Sequence, residues 1–280
     1  MVEKFVEIGA MIDLPELPFI DTMMTTIVFY GHDRKLPARE ARVLIENICG
    51  LLNEVPSHAH VGLGEGRKSR GPKFRALDKL IAKGDFEYYS YIEAVNYFEK
   101  GNVRDCSLAV CVSEQSERRH FYVHFRRDRN AKVDTNLILQ EVVRHISPLY
   151  GILYDLTVRE GPLWFIRGQW SSGMPDALGR SSSEFQQEYL FGKKFADGFF
   201  RDVFKWNYLC KAHLDKQIDG MRFRDWIELP QNRISWFGKT KTRGTLSILE
   251  NGNAVWELTN EEMNEVRAPM LKENLLMVKS

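Results

Sequence analysis

Two close pairs of histidines are the first side chains in this sequence that could do chemistry. His58 and His60 are separated by one residue, and at the rise of a β-strand they lie about 7 Å from each other. His120 and His124 share one face of a predicted strand on either side of Tyr122, about 13 Å apart by the same rise. Neither pair holds a metal ion without ligands from elsewhere, and no closely spaced cysteine pair supplies them. We therefore expect no metal site.

Acidic and nucleophilic residues do not form a catalytic motif that we can name. Four acids lie next to apolar residues: Asp155, Asp202, Asp219 and Asp225. None has a lysine or a second acid at the spacing of a nuclease, although a PD-(D/E)xK-type core is poorly marked in sequence and stays open as an alternative. The GxSxG motif of serine hydrolases is absent. Cys210 and His213 form the closest cysteine–histidine pair, but their aromatic neighbours predict a buried thiol, whereas a reactive thiol needs a partly exposed, electropositive setting.

A glycine-containing loop at 62–71 (GLGEGRKSRG) is the first of three basic clusters. Its Arg67, Lys68 and Arg70 precede a predicted helix, where backbone N–H groups and positive charge can hold an anion. The Gly-Lys-Ser/Thr ending of a nucleotide-binding P-loop is missing. We interpret the segment as a solvated basic loop, with anion binding as the alternative.

The other two basic clusters interleave aromatic residues with arginine and lysine. The first spans 118–132 and includes Arg118, Arg119, Arg126, Arg127 and Arg129. The second spans 233–243 and includes Trp236, Lys239 and Lys241. Such mixtures bind single-stranded nucleic acid or acidic protein surfaces. The net charge of the chain is only +1 and favours neither partner, so both stay open.

The elements that must position these residues follow from the spacing of apolar residues. Strands are predicted at 25–30, 58–63, 86–94, 105–113, 118–126, 150–158, 162–168, 234–237, 245–249 and 254–258. Helices are predicted at 37–55, 73–83, 135–146 and 259–270, and a capping box of Thr259 and Glu262 opens the last of them. Strands in hairpins and strands joined by helices both occur, which predicts an α+β fold with a mixed or antiparallel sheet and flanking helices.

An aromatic-rich helical segment and a small β-hairpin are predicted to follow this sheet. Ser181 and Glu184 match a capping box, which predicts the start of a helix, and 203–214 is predicted to form a second helix or a turn. Aromatic residues at helical spacing are usually core residues, so we interpret them as a buried scaffold. The alternative is an exposed aromatic groove that receives a partner. A type I′ turn is predicted at Asn251-Gly252 in the hairpin.

Domain organisation and compartment follow from composition. Residues 169–183 are small, polar and rich in glycine, and they predict a linker or long loop between a sheet domain at 1–168 and a helical plus hairpin region at 184–280 docked on it. The N-terminus does not resemble a signal peptide, and no apolar run is long enough to span a membrane. Cys106 and Cys111 are an odd number of positions apart and are predicted to face opposite sides of one strand. Scattered thiols fit a reducing compartment, so we expect a cytoplasmic protein with no membrane partner.

The C-terminal third resembles bacterial immunity-type proteins of polymorphic-toxin systems. The resemblance rests on the segments FFRDVFKWNYLCKAHL, FRDWI, GTLSILENGNAVWEL and VRAPMLKENLL. Its marker residues are Arg201, Asp202, Asn207, His213, Leu214, Trp226, Ile227, Gly252, Trp256 and Arg267. Such proteins are small α+β proteins that neutralise toxins by binding them. The resemblance therefore implies a stoichiometric inhibitor of a protein partner, with no catalytic residues and no cofactor.

Two other functions stay open from the sequence. The basic clusters are also compatible with a nucleic-acid-binding protein or a cryptic nuclease. The aromatic residues between 185 and 209 are compatible with a structural subunit that uses them as its interface in a larger assembly. In the leading interpretation the basic residues recognise an acidic protein surface, because complementary charge speeds association.

Overall fold

The computed structural model describes residues 18–32, 34–63, 73–82, 89–98, 106–115, 119–130, 133–191, 193–229, 231–234 and 240–280. Its strands in chain order are β1 (Met23–Tyr30), β2 (His58–Leu63), β3 (Tyr89–Tyr97), β4 (Cys106–Ser113), β5 (His120–Arg126), β6 (Tyr150–Thr157), β7 (Trp206–Leu209), β8 (Gln217–Ile218), β9 (Met221–Arg222), β10 (Gln231–Ile234), β11 (Thr240–Lys241), β12 (Thr245–Ile248) and β13 (Ala254–Glu257). Its α-helices are α1 (Ala38–Leu51), α2 (Leu77–Ala82), α3 (Thr135–His145), α4 (Pro162–Ile166), α5 (Asp176–Phe191), α6 (Lys211–Leu214), α7 (Phe223–Glu228) and α8 (Asn260–Lys272).

A nine-stranded antiparallel sheet forms the centre of the molecule, in the order β12-β13-β7-β6-β1-β5-β4-β3-β2. The pairs β8–β9 and β10–β11 form two small hairpins outside it. This architecture confirms the predicted α+β class. None of the helices in the described ranges is long and apolar enough to cross a membrane.

Helices cover both faces of the sheet, so most of its strands are buried on two sides. On β5, Phe121 and Val123 point into a core shared with α1, α2 and α3. Tyr122 points the other way, into a core shared with α4 to α8. Alternation of side chains along a strand places His120 and His124 on the Tyr122 face, as predicted. The central strands therefore contribute to two cores at once.

Three predicted elements are confirmed in detail. β4 and β5 form the predicted hairpin, with Ser113 opposite His120. α1 is amphipathic and turns Leu44 and its apolar neighbours into the core. α8 begins with the predicted capping box, in which the Thr259 side chain accepts from the Glu262 N–H and the Glu262 carboxylate accepts from the Thr259 N–H.

The prediction of a strand at 162–168 is wrong, because Pro162–Ile166 is the helix α4. A short apolar run fits a buried strand and a buried helix equally well, and its surroundings decide between them. Here Gly161 takes a left-handed conformation with φ of 68°, and proline follows at the first helical position, where its missing N–H costs nothing.

Residues 206–209 form strand β7, where a helix or turn was predicted. β7 pairs with β6 on one side and with β13 on the other, and all four of its residues are buried. A strand buried on both faces has a continuous apolar sequence, so its pattern does not alternate. β6 lies before the segment 169–183 and β7 lies after it. The two strands pair with each other, so one sheet contains strands from both predicted regions. The division of the chain into two domains stays a prediction.

The long aromatic helix α5 begins at Asp176, five residues before the predicted start at Ser181. Ser181 lies inside this helix and does not cap it, so the predicted capping box with Glu184 is wrong. Half of the predicted linker is therefore helical. α3 likewise has Asp134 as its N-cap, one residue before the predicted Thr135.

A β-bulge overturns the prediction that Cys106 and Cys111 face opposite sides. Tyr97 pairs with Cys106, but Asn96 pairs with Leu108, so Ser107 is an extra residue in β4. A bulge reverses the alternation beyond it. Both cysteines consequently point into the core on the α4–α8 side.

The small hairpin is present, but its turn is not of type I′. Only Gly252 has a positive φ, 80°, and its N–H donates to the Leu249 carbonyl at 2.9 Å. This is a type I turn followed by a left-handed glycine, which is the usual three-residue hairpin loop.

Most of the aromatic residues between 185 and 209 are buried, which supports the scaffold interpretation, while Phe199 and Phe204 are half-buried. The buried residues are Phe185, Tyr189, Phe195, Phe200, Trp206 and Tyr208, all at most 8% exposed. They pack against the sheet and against one another, and they leave no exposed aromatic groove in this part of the described chain. A structural subunit that uses them as its interface is therefore not supported.

One arginine holds this aromatic layer to the sheet. Arg201 is fully buried, and its guanidinium lies between the rings of Phe165 and Phe185, 3.8 and 4.0 Å from their centres. Its Nη1 donates to the Tyr30 hydroxyl at 2.8 Å, and its Nη2 donates to the Phe165 carbonyl at 2.7 Å. Within the described ranges Arg201 forms no ion pair. The planar cation is thus stabilised by π faces and oxygen dipoles.

Replacing Arg201 by lysine is expected to lower the free energy of unfolding by about 2–4 kcal/mol, because a lysine cannot stack between two rings and reach both acceptors. Urea unfolding of the full chain measures the change. The control is Arg144→Lys, whose side chain is 69% exposed and bonded to Glu141. This control should stay within about 0.5 kcal/mol of the wild type. Equal losses in the two variants would show that Arg201 has no special role.

Candidate functional site

The predicted basic residues are brought together only in part. Arg67, Lys68, Arg70, Arg118, Trp236 and Lys239 lie outside the described residues, and Lys241 lies in β11. Arg119 precedes β5, whereas Arg126 is its last residue and Arg127 and Arg129 follow it, so these two groups lie at opposite ends of one strand.

The turn after β5 concentrates arginines, but acids neutralise most of their charge. The Arg126 Nε donates to Asp128 at 3.0 Å, and this contact lowers the pKa of Asp128. Arg127 pairs with Asp155 at 3.2 Å. Arg129 is exposed beside them. A shallow pocket of about 430 Å³ is lined by Thr22, Met23, Arg126, Arg127 and Asp128. The turn is therefore a mixed-charge surface and not a continuous basic patch.

Cys210 and His213 contact each other as a nucleophile and its base would, but they do not form a thiolate–imidazolium pair. The Cys210 Sγ lies 3.2 Å from the His213 Nδ1, and the Nε2 of the same ring donates to the Phe199 carbonyl at 3.0 Å. Burial raises the pKa of the Cys210 thiol and lowers the pKa of His213 to about 3. Both groups are thus neutral near pH 7. His213 is fully buried but Cys210 is half-buried, so the predicted burial of the thiol is only partly confirmed, and the pair does not supply a thiolate.

A row of polar side chains crosses four strands on the α4–α8 face of the sheet. His60 on β2 pairs with Glu93 on β3, Glu93 with Cys111 on β4, and Cys111 with Tyr122 on β5. His60 and Glu93 are half-buried, whereas Cys111 and Tyr122 are buried. We call these four residues the polar row. No three histidine, cysteine or acidic residues in the described ranges are arranged to hold a metal ion.

Hydrogen bonds and burial set the charge state of the polar row. The Tyr122 hydroxyl donates to Glu93, and the His60 Nε2 contacts the hydroxyl of Tyr97. Burial raises the pKa of Glu93, and the Tyr122 hydrogen bond and the positive charges of His60 and Arg167 oppose this shift. Burial is the largest effect, so Glu93 keeps its proton to a higher pH than an exposed glutamate does.

A second candidate surface is formed by two exposed tryptophans near α4 and α5. Trp164 and Trp170 are 44% and 57% exposed. A groove of about 500 Å³ lies next to Trp170, and its remaining lining residues are Asp176, Gly179, Arg180, Ser183, Glu184 and Gln187. A Cβ on Gly179 would lie 2.5 Å from the Trp170 ring, so the ring rests directly on the helix backbone. We call Trp164, Trp170 and this groove the tryptophan surface.

Sequence reasoning missed both the polar row and the tryptophan surface. Trp164 was assigned to a strand and Trp170 to a linker, so neither was considered as a contact residue. The sequence signal for the tryptophan surface was a pair of tryptophans within seven positions, followed by a helix with a glycine on its surface. The members of the polar row are too far apart in the chain to give any local signal.

Comparison with known proteins identifies no family. No family model matches this chain, and no curated protein matches its sequence. Among solved structures, the chain is similar to the Pseudomonas aeruginosa T6SS protein PA0821, with a TM-score of 0.49 and 9% sequence identity. The match covers 84% of this chain and 64% of that protein, so the chain spans a little under two thirds of the length of its neighbour.

Two buried histidines predict a loss of stability in mild acid. Burial lowers the pKa of His124 to about 4 and that of His213 to about 3, whereas an unfolded histidine titrates near 6.5. Below pH 6.5 the unfolded chain binds protons that the native protein does not. The free energy of unfolding should therefore fall as the pH is lowered from 6.5 to 4, by about 3 kcal/mol for each histidine.

Urea unfolding at pH 7.5, 6 and 5 measures this dependence. Glu93, Glu114 and Asp202 have raised pKa values and act in the opposite direction, so the informative quantity is the difference between variants. His124→Asn should flatten the pH dependence, whereas His58→Gln, at an exposed position, should leave it unchanged. An identical pH dependence in His124→Asn and the wild type would exclude a buried neutral His124 as the cause.

Proposed function

We propose that this protein is a non-enzymatic inhibitor of the immunity type, which binds and blocks a toxin or another effector in bacterial conflict. The observation that carries the proposal is the pair of exposed indoles, Trp164 and Trp170, the second of which lines a groove on α5. Tryptophan is the residue most enriched at the energetic centre of protein interfaces. Each exposed indole costs solubility in the free protein, which a partner would offset by covering it.

The backbone beneath the tryptophans is held in place before any partner binds. Phe165 and Ile166 are buried, and Arg201 and Tyr30 bind their carbonyl oxygens at 2.7 and 2.8 Å. Trp164 directly precedes these residues. A surface that is ordered beforehand loses less conformational entropy on binding, which favours affinity.

The resemblance to immunity-type proteins supports the scaffold rather than the contact surface. Of its marker residues, Arg201, Asn207, His213, Trp226 and Trp256 are all at most 1% exposed. Buried residues determine packing and do not touch a partner. We therefore assign recognition to the tryptophan surface, and assign to the arginines after β5 a role in attracting an acidic partner.

The first test of the proposal replaces both exposed indoles by serine (Trp164→Ser with Trp170→Ser). The variant and the wild type are used to capture partners from the native source, with and without nuclease, and the captured proteins are quantified by mass spectrometry. The wild type should retain one stoichiometric protein that survives nuclease. The double variant should retain at least tenfold less of it, since loss of an interface tryptophan typically costs 2 kcal/mol or more, about a thirtyfold loss in affinity.

A matched control keeps this experiment specific to the tryptophan surface. Leu137→Ser removes an apolar side chain that is 47% exposed on α3, on the opposite face of the sheet, and should leave capture unchanged. Equal capture by the double variant and the wild type would refute recognition through the indoles. Recovery of nucleic acid, with all partners lost after nuclease, would favour the alternative of a nucleic-acid-binding protein.

The arginines after β5 make a separate kinetic prediction. Changing Arg126, Arg127 and Arg129 to glutamate should slow association with the captured partner about tenfold at low salt and leave the dissociation rate nearly unchanged. Surface charges act mainly on the rate at which the two proteins meet in solution. Surface plasmon resonance at two salt concentrations measures both rates. Arg224→Glu, at an exposed position on α7, is the control. An unchanged association rate would remove the basic turn from the proposal.

A further inference from the structure

The groove of the tryptophan surface runs along one side of α5. Its lining residues on this helix lie between Asp176 and Gln187 and recur every three or four positions, so they form a single face of the helix. At a rise of about 1.5 Å per residue, this face is about 16 Å long. Trp170 forms a wall near the Asp176 end, because its ring rests on Gly179. The groove is therefore long enough for a segment of a partner chain, and not only for one side chain.

The indole of Trp170 presents an open ring to whatever fills the groove. Its Cδ1 and Nε1 are the ring atoms that a Cβ on Gly179 would meet first. The other end of the ring accordingly points away from the backbone of α5, and Trp170 is 57% exposed. An apolar side chain of a partner can pack on this exposed part of the ring.

Charged residues alternate in sign along the floor of the groove. Asp176, Arg180 and Glu184 are four residues apart, so they lie on one ridge of α5 at intervals of about 6 Å along the helix axis. In the part of the chain that the structure describes, no acceptor binds the exposed Arg180 guanidinium and no donor binds the exposed Asp176 carboxylate. Both side chains are therefore available to groups that enter the groove.

The chain segment that follows α8 holds Glu184 in place. The Glu184 Oε2 accepts from the N–H groups of Lys279 and Ser280 at 2.6 and 3.1 Å. A carboxylate has acceptor sites for more than two donors, so Glu184 can accept a further one. An incoming chain thus meets a negative, a positive and a negative side chain in that order along α5.

We propose that the groove receives a helix of the protein partner on which a basic, an acidic and a second basic residue follow one another at four-residue spacing. The acidic residue pairs with Arg180, the basic residues face Asp176 and Glu184, and an apolar neighbour packs on Trp170. A second helix has the same spacing of about 6 Å between such residues, and two helices that cross at about 20° stay in contact over several turns. This inference rests on the proposed function and names the chemistry of the partner.

The two acids also determine what the groove rejects. A nucleic acid would bring phosphates against Asp176 and Glu184 on both sides of the single cation, and a uniformly acidic segment would meet the same repulsion. Unfavourable contacts of this kind create specificity as much as favourable ones do. The groove therefore differs from the turn after β5, whose arginines attract an acidic surface as a whole.

The test measures the binding of three synthetic helical peptides to the full chain by amide NMR. The peptides share an alanine-rich host with one leucine, and they carry Lys-Glu-Lys, Glu-Lys-Glu or Gln-Gln-Gln at four-residue spacing on one face. At low salt the Lys-Glu-Lys peptide should bind about tenfold more tightly than the Glu-Lys-Glu peptide, because three matched surface pairs replace three repulsive ones. The neutral peptide should bind with intermediate affinity, and high salt should remove the difference.

Two variants separate the charge pattern from the indole. Arg180→Glu should reverse the preference at the central position, so that a peptide with three lysines binds best. Trp170→Ser should weaken all peptides to a similar extent and leave their order unchanged. The control is Arg75→Glu, at an exposed position on the opposite side of the sheet, which should bind all peptides as the wild type does. Equal affinity for Lys-Glu-Lys and Glu-Lys-Glu, or an unchanged order in Arg180→Glu, would overturn the proposal.

A photo-crosslinker identifies the segment of the natural partner that lies in the groove. The chain is made with p-benzoylphenylalanine in place of the exposed Gln187, and the peptide crosslinked from the captured protein is sequenced by mass spectrometry. Basic, acidic and basic residues at four-residue spacing are expected in it. A segment without this pattern would overturn the inference and leave the proposed function standing. If no partner is captured, the proposed function fails, whereas the peptide titration still decides what the groove binds.

Discussion

A cation buried without an acid partner is the constraint on which the helical layer of this protein depends. Desolvating a guanidinium costs several kcal/mol, and Arg201 recovers this through two aromatic faces, a hydroxyl and a carbonyl oxygen. Those groups come from β1, α4 and α5, so the side chain has its full set of contacts only when all three elements are in place. The C-terminal segment adds to the same point, because the Val278 N–H donates to the Arg201 carbonyl at 3.1 Å. One residue thus links the sheet, two helices and the chain end.

The three residues that start at Trp164 show how this constraint reaches the tryptophan surface. Successive positions on a helix point about 100° apart. Trp164 points to solvent, whereas Phe165 and Ile166 point into the core around Arg201. The buried pair determines where the exposed indole lies, so the tryptophan surface depends on the contacts of Arg201. A change at Arg201 would therefore disturb this surface without touching it.

The parts of the fold that sequence predicted correctly are those with local and redundant signals. α1 has a regular apolar face, α8 has a capping box, and the hairpin of β4 and β5 has two alternating strands around a short turn. α4 and β7 were assigned wrongly because each is a short apolar run whose state depends on what surrounds it. Ser107 shows a further limit of sequence-based prediction. This one bulged residue moves the Cys106 side chain to the other face of the sheet, and nothing in the local sequence indicates the bulge. Of the predicted basic residues that lie in the described ranges, only the arginines at the end of β5 lie together, because those residues are neighbours in the chain.

Two clusters of buried polar groups show that this fold does not minimise the cost of burial everywhere. Both terminal nitrogens of Arg201 donate to groups of the protein itself, but its Nε is buried without a hydrogen-bond partner among the described residues. In the polar row, the Tyr122 hydroxyl satisfies one oxygen of Glu93, and an apolar row of similar volume would avoid the cost of burying that acid. Departures from the most stable arrangement are expected where a protein functions, since stability does not explain them. The row, assembled from four strands by register alone, is one such departure.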